Sequence, residues 1–296
     1  MNMLIDKIRG AILLHRELGI GYFQLLRGYL KKDKIITVNI KNLAVNMEIH
    51  KALMYASGLR NIRKDGWEIV DIINNLIVYE NRQKGIKLYS RIEDCHHFVS
   101  EIREVFVEEL YKSDFTNKVV VDVGTYVGES AIYFAINGAK KVIALEPDEE
   151  NYQLALKNVK ENGLEDRVVL LNKAVADKEG VINLYRYSYP SDLGSTDPNN
   201  MPPPIDKLVV KKVEAITLDG VIKIAGERIG LLKLDCEGCE YSVLNSFYKF
   251  DIIDNIILEY HNGLQNLPSL LKSHGFEIII KKKNEKIGII RAFKNN

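Results

Sequence analysis

The stretch "VVVDVGTYVGES", Val119 to Ser130, decides how the chain is read. β-Branched residues lead to Asp122, Gly124 and Gly128 follow, and then the apolar spacing turns helical. That order is strand, tight turn, helix. The spacing is not G-x-G-x-x-G, so the dinucleotide fingerprint is not met. Outward from this turn the same alternation continues. Strand "KVVVDVG" leads to helix "GESAIYFAING", strand "KKVIALEP" to helix "EENYQLALKNVKENG", and strand "DRVVLLNKAV" to "GVINLYRY". Further on come strand "IGLLKLDCEG", helix "CEYSVLNSF", strand "IDNIILEYHN", a helix near "LPSLLKSHG", and a closing pair, "FEIIIKKK" and "KIGIIRAFK". Such alternation predicts a doubly wound α/β fold, with a Rossmann-like, mostly parallel sheet covered by helices and closed by an antiparallel edge hairpin.

Upstream the pattern differs. Helical spacing over residues 3–32 breaks at Gly19 and Gly21. Short strands follow, "KIITVNI", "LAVNMEI", "WEIVDII" and "LIVYEN", with Asn74 and Asn75 suited to a hairpin between the last two. "KGIKLYSR" reads as one more strand and "EDCHHFVSEIREVFVEELYKS" as a helix with one apolar stripe. The boundary is drawn between an N-terminal α+β extension, 1–95, and the α/β domain, 96–296. Residues 187–206 hold five of the seven prolines and fit no element, so they read as a lid or a plain insertion.

Composition narrows the class. Lys+Arg is 41 and Asp+Glu 40, a net charge of +1, which gives no electrostatic footprint for nucleic acid. Two lysine clusters, Lys31 to Lys34 and Lys281 to Lys283, read as solvated element ends. Three cysteines argue against a disulfide framework and for a reducing compartment. Cys236 and Cys239 form a C-x-x-C with no second pair to complete a zinc site, so they read as a strand residue and a helix-start residue. The N-terminal run is broken by His15, Arg16, Glu17 and Arg27, so it spans no membrane and has no signal-peptide layout. Its mixed-charge polar face favours packing on the protein over peripheral membrane contact. The expected location is the cytoplasm.

Ligands of an open parallel sheet sit beyond the carboxyl ends of its strands. Those ends are Asp122 to Gly128, Glu146 with Pro147, Asn172 to Asp177, Lys233 to Gly238, and Glu259 to Asn262. Glycines at 124 and 128 let backbone approach a ligand closely. Asp122 repels a pyrophosphate but suits a cationic amine, and Glu146 suits the hydroxyls of a ribose. A ligand with a ribose and a cationic group is S-adenosylmethionine; NAD fits less well.

Four segments stand in order: "VVVDVGTYVGESAIYFA", "VIALEPDEENYQLALKNVKEN", "LLNKAVADKEGVINLY" and "LLKLDCEGCEYSVL". Together they resemble the FkbM family of class I S-adenosylmethionine-dependent methyltransferases, over roughly Phe98 to Asn262. The K-x-D-x-E-G element, Lys233 to Gly238, is the most selective piece. The resemblance implies a seven-stranded class I sheet, with Asp122, Gly124 and Gly128 beside the methionine part of the cofactor. It implies Glu146 at the ribose and Ala174 with Val175 next to adenine. Pro147, Thr125 and Tyr126 complete the expected cofactor set, although the family often has alanine and asparagine at the last two positions.

Methyl transfer to a hydroxyl needs alignment and removal of a proton, by a base or a metal. Strand ends supply candidates. Lys233, Asp235 and Glu237 alternate, and Glu259, His261 and Asn262 stand on the next strand. In one mechanism Asp235, Glu237 and one group of the next strand hold a divalent cation such as magnesium, with Asp235, Glu259 and Asn262 as the candidate ligands. In the other, His261 or Glu237 is the base and Lys233 orients its partner; a third reading makes Lys233 and Glu237 a purely structural ion pair. The expected reaction is O-methylation of a sugar, glycolipid or polyketide-like hydroxyl, so the acceptor is a small molecule or glycan. The rivals are an NAD- or nucleotide-sugar-dependent enzyme and a non-catalytic binding protein of the same fold.

Overall fold

The computed structural model describes residues 2–21, 35–187, 194–196, 198, 201 and 208–294. The chain forms two compact units, Met1–Glu109 and Leu110–Asn296. The boundary between them falls after the helix that begins at Cys95.

In the first unit, helix α1 (Asn2–Leu18) packs through Leu14, which has no exposed surface. Arg63 donates to Glu17 Oε2 at 3.0 Å, tying α1 to helix α2 (Ile49–Lys64). These contacts lie within the first unit. Strands β1 (Ile35–Ile40) and β2 (Leu43–Glu48) pair antiparallel, as do β3 (Trp67–Ile73), β4 (Leu76–Asn81) and β5 (Ile86–Arg91). Asn74 and Asn75 both have positive φ, 51° and 62°, which the β3–β4 turn requires. Helix α2 is an addition to the sequence reading, although its buried stripe Ile49, Ala52, Tyr55, Ala56, Leu59 and Ile62 has helical spacing. The helix expected through residue 113 is shorter: α3 runs Cys95–Ile102 and passes into a π turn, Arg103–Val107.

In the second unit the main sheet has seven strands. They are β6 (Val119–Val123), β7 (Lys141–Leu145), β8 (Val168–Leu171), β13 (Ile229–Leu234), β14 (Ile253–Tyr260), β15 (Glu277–Lys282) and β16 (Gly288–Phe293). Their order is β15-β16-β14-β13-β6-β7-β8. Every pairing from β14 to β8 is parallel, while β16 runs antiparallel to both β14 and β15. Every residue of β6 and β13 is buried, which continuous apolar runs allow only under helices on both faces. Those helices are α4 (Glu129–Ile136), α5 (Glu149–Glu161), α6 (Leu218–Ala225), α7 (Glu240–Ser246) and α8 (Leu267–Ser273).

Three expectations change here. "DRVVLLNKAV" is two strands, because after β8 the chain crosses to a second sheet as β9 (Ala174–Ala176). That sheet has the order β11-β10-β12-β9, with β10 (Gly180–Arg186), β11 (Gly194–Ser195) and β12 (Val209–Thr217). The proline-rich stretch therefore contains a short strand, and most of its other residues lie outside the described ones. Strand β12 and helix α6 are also additions; Thr217 caps α6 by accepting from Gly220 N at 3.1 Å, and Gly226 ends it at φ 74°.

The β6–α4 turn and the loop after β13 touch at one glycine. Gly124 has φ 78°, and a Cβ there would lie 1.8 Å from the carbonyl oxygen of Asp235. Gly124→Ala is expected to cost at least ~2 kcal/mol, positive φ alone contributing about 1–2. A thermal melt several degrees below wild type is the expected readout; an unchanged melt removes this contact from the fold's requirements.

Candidate functional site

Parallel register sets Lys233 beside Asp122, because β13 and β6 are neighbours. Both side chains are buried, with Lys233 Nζ 3.1 Å from Asp122 Oδ1. The ammonium also donates to the carbonyls of Gly124 (2.5 Å) and Val123 (3.4 Å). Ser130, in the first turn of α4, donates to Asp122 Oδ2 at 2.7 Å. So Lys233 pairs with Asp122, not with Glu237, and Asp122 is committed to the protein's own groups rather than offered to an amine. Burial works against the charged ammonium, but Asp122, then Asp235 and Glu129, raise the Lys233 pKa above its ordinary value.

Glu146 directly follows β7 and is buried. Its Oε2 accepts from Tyr126 N at 3.2 Å; its Oε1 accepts from Asp148 N at 3.0 Å and Asn151 Nδ2 at 3.3 Å. Burial pushes its pKa up to about 8 despite those donors. Glu129, at the start of α4, is also pushed by burial to about 8. Backbone binds the turn to β7: Gly124 N and Thr125 N both donate to Leu145 O, at 3.0 and 3.1 Å. Thr125 is fully buried, Tyr126 has φ 51°, and Gly128 at φ 89° lies against Ala155. Pro147 O and Glu146 O each accept from Asn172 Nδ2, at 3.3 and 3.1 Å. Ala174 and Val175 are buried, and their side chains belong to apolar clusters rather than to an open site.

The other half of the site lies beyond β13 and β14. Strand β13 stops at Leu234, so Asp235, Cys236 and Glu237 lie in the loop, not on the strand. Tyr111 donates to Asp235 Oδ2 at 2.9 Å. Burial opposes ionisation of Asp235, but Lys233, His261 and Tyr111 hold its pKa below the usual value. Glu237 adopts φ 55°, and its carbonyl accepts from Ser195 Oγ at 2.6 Å. His261 is braced through Nδ1 by Glu240 Oε1 at 3.2 Å. Its Nε2 faces Glu237 Oε2 at 3.5 Å and Asp235 Oδ1 at 3.8 Å. Burial lowers the imidazole pKa, but Glu240, Glu237 and Asp235 outweigh it and raise it to about 10. Glu259 is raised by burial and by Asp235, while Lys283 donates to its Oε1 at 2.9 Å. Lys283 is thus an ion-pair partner, although its side chain stays exposed. Asn262 is exposed, with its backbone N–H on Tyr241 Oη at 2.8 Å.

Sequence reasoning passed over Tyr111, Ser130, Glu129, Asn151 and Glu240 as site residues. Only Glu240 carried a signal, a helix-start acid just after the K-x-D-x-E-G element. The cysteine reading is corrected outright. Cys236 and Cys239 form a disulfide, with Cα atoms 5.5 Å apart across the turn that leads into α7. The turn brings two local thiols together, a geometry that the scarcity of cysteines elsewhere does not exclude. Cys95 is buried and free.

No helix among the described residues is long and apolar enough to cross a membrane. The family model for the Methyltransferase FkbM domain matches residues 122–278, more than half of the chain. No curated protein matches the sequence significantly. Among solved structures, TrmK of M. capricolum in complex with S-adenosyl-homocysteine is 15% identical, covering 64% of this chain and 69% of that one at a TM-score of 0.39. The ribosomal protein L11 methylase of Lactobacillus delbrueckii subsp. bulgaricus is 16% identical, with 66% and 79% covered and a TM-score of 0.41. Precorrin-6y C5,15-methyltransferase of Geobacter metallireducens is 15% identical, with 66% and 88% covered and a TM-score of 0.37.

Two measurements probe this geometry. Lys233→Met leaves Asp122 buried without its cation, an expected loss of about 3–5 kcal/mol, and adding Asp122→Asn should recover part of it. Denaturant melts of the single and double variants read this directly; a fully stable Lys233→Met variant contradicts the pairing. Thiol titration of the unfolded chain should count one reactive cysteine without reductant and three with it. Three in both cases contradicts the disulfide.

Proposed function

The chain belongs to the FkbM methyltransferase family, and from that premise we propose that it binds S-adenosylmethionine and methylates a hydroxyl oxygen. The acceptor class is a sugar, glycolipid or polyketide-like small molecule. The observation that carries the reading is Glu146, a buried carboxylate at the end of the strand next to the glycine turn. A carboxylate has about four acceptor positions, and three donors meet this one. Capacity remains on Oε2 for a ribose hydroxyl. The charge balance fits too. Asp122, Asp235 and Glu129 all act on one lysine, Lys233, so acids outnumber the cation there and the site favours a cationic ligand.

When bound, S-adenosylmethionine supplies a methyl group on a sulfonium. The protein's own part is binding, orientation and proton transfer. Lys233 and Asp122 fix the turn that carries Gly124, Thr125, Tyr126 and Gly128, so these two are positioning residues. Backbone of that turn approaches the ligand, and Glu146 with the backbone at Pro147 orients the ribose. Ala174 and Val175 back the adenine region from the core side. An acceptor hydroxyl at the β13 and β14 ends gives its proton to the Glu237 carboxylate, which His261 faces and Asp235 flanks. Ser195, from the proline-rich stretch, donates to Glu237 O at 2.6 Å, which supports reading that stretch as a part that closes over the acceptor.

The test follows from the Glu146 carboxyl. Donor hydroxyls favour its ionised form, and the free protein holds the proton up to a pH of about 8. Affinity for S-adenosylhomocysteine should therefore rise as the pH goes from 6 toward 8.5, by at most about tenfold per unit. Glu146→Gln should flatten that dependence and weaken binding roughly 10- to 100-fold, as loss of a charged hydrogen bond does. Calorimetric titration across pH checks both. A flat wild-type profile with unaltered binding by the variant removes Glu146 from the ligand site.

A further inference from the structure

The geometry points to a binding site for a first-row divalent transition-metal ion, held by Asp235, Glu259 and His261. One donor atom from each lies within 4.8 Å of the others. Ligands around such an ion sit about 2.0–2.2 Å from it, so neighbouring donors are about 3–4 Å apart. The 3.8 Å between Asp235 Oδ1 and His261 Nε2 is already at that spacing.

A cluster of acids alone would not make this a site. Here the histidine does, together with the way each donor is braced from behind. His261 Nε2 lies 3.5 Å from Glu237 Oε2 and 3.8 Å from Asp235 Oδ1, within ion-pair range, so a divalent cation that displaces the Nε2 proton meets the same carboxylates. Its other nitrogen is held by Glu240, whose carboxylate also accepts from His261 N at 3.0 Å. A carboxylate behind a ring nitrogen is the arrangement that fixes the tautomer and aim of a metal-binding imidazole. Asp235 is oriented by Tyr111 through Oδ2, which leaves Oδ1 toward the centre. Glu259 is oriented by Lys283 through Oε1, which leaves its other oxygen to serve as donor. Only 10% of the His261 side chain and 10% of that of Glu259 are exposed, so donors and acids meet out of bulk water.

The donor set also selects the ion. Magnesium prefers all-oxygen shells and keeps its waters. One imidazole with two carboxylates suits manganese, iron or zinc better. Three protein donors leave positions open for an acceptor oxygen, which ties the ion to the reaction. That use deepens the methyltransferase reading and rests on it, whereas binding of the ion does not.

Manganese(II) is the probe, titrated into the full chain and followed by loss of the free-ion paramagnetic resonance signal. The expected result is one ion per chain at micromolar strength, with millimolar magnesium a poor competitor. His261→Gln and Glu259→Gln should each weaken it at least tenfold, since even groups behind the ligands are worth 10- to 100-fold. Far-ultraviolet dichroism and S-adenosylhomocysteine binding are read on the same samples. Retained folding with weakened manganese binding supports the site, whichever way the nucleoside ligand behaves. No binding below ~1 mM, or binding unaltered in both folded variants, overturns it. Should one variant fail to fold, the other and the wild-type stoichiometry decide. A chain that binds manganese but not S-adenosylhomocysteine keeps the ion site and loses the methyltransferase reading.

Discussion

A lysine ammonium buried in the middle of a parallel sheet must be neutralised and hydrogen-bonded, and most of the site's shape follows from how Lys233 meets that demand. Asp122 supplies the charge, and the carbonyls of Val123 and Gly124 supply acceptors. These groups belong to β6 and the turn that leaves it. One side chain from β13 thereby fixes the direction in which the neighbouring turn departs. Gly124 then passes under the carbonyl of Asp235 at a distance that excludes any side chain. The glycine in this turn answers to packing between two loops as well as to any ligand.

Charge around this pair is lopsided. Acids outnumber the one buried cation, and burial leaves Glu129 and Glu146 holding protons to a pH of about 8. A fold that gathers carboxyls and keeps two of them neutral stores a preference for positive charge and for donor hydroxyls. The same excess appears at the strand ends beyond, where three acids raise the pKa of His261 to about 10. Protons and lysines carry the compensating charge in the free protein. Ligands that bring positive charge would take over part of that work.

The layout of the sheet was readable because periodicity is local. A strand, a glycine turn and a helix are specified within a dozen residues, and the order of elements sets the topology. Asn74 and Asn75 announced their turn for the same reason, and both have positive φ. Partners were harder to read. Alternation along the chain suggested that Lys233 could pair with Glu237, but cross-strand register placed it against Asp122, 111 positions upstream. Tyr111 reaches Asp235 across an even longer separation and has no local signal at all. The cysteines mislead in another way. Their number in the chain spoke about the compartment, while the disulfide depends on a turn that places two Cα atoms 5.5 Å apart.

The loop from Asp235 to Glu240 links the two halves of the site mechanically. Its first carbonyl rests on Gly124, on the glycine-turn side. Glu237 takes a positive φ and receives Ser195 on its carbonyl. The Cys236–Cys239 bond closes the next turn, and Glu240 holds both the backbone and the ring of His261. Each of these contacts removes a freedom that the short loop would otherwise have. Together they form a continuous run of contacting or bonded neighbours from Gly124 to the imidazole just past β14. The arrangement holds the glycine turn and the cluster of acids beyond β13 in a fixed relation, which is what alignment of two reacting partners requires of a protein.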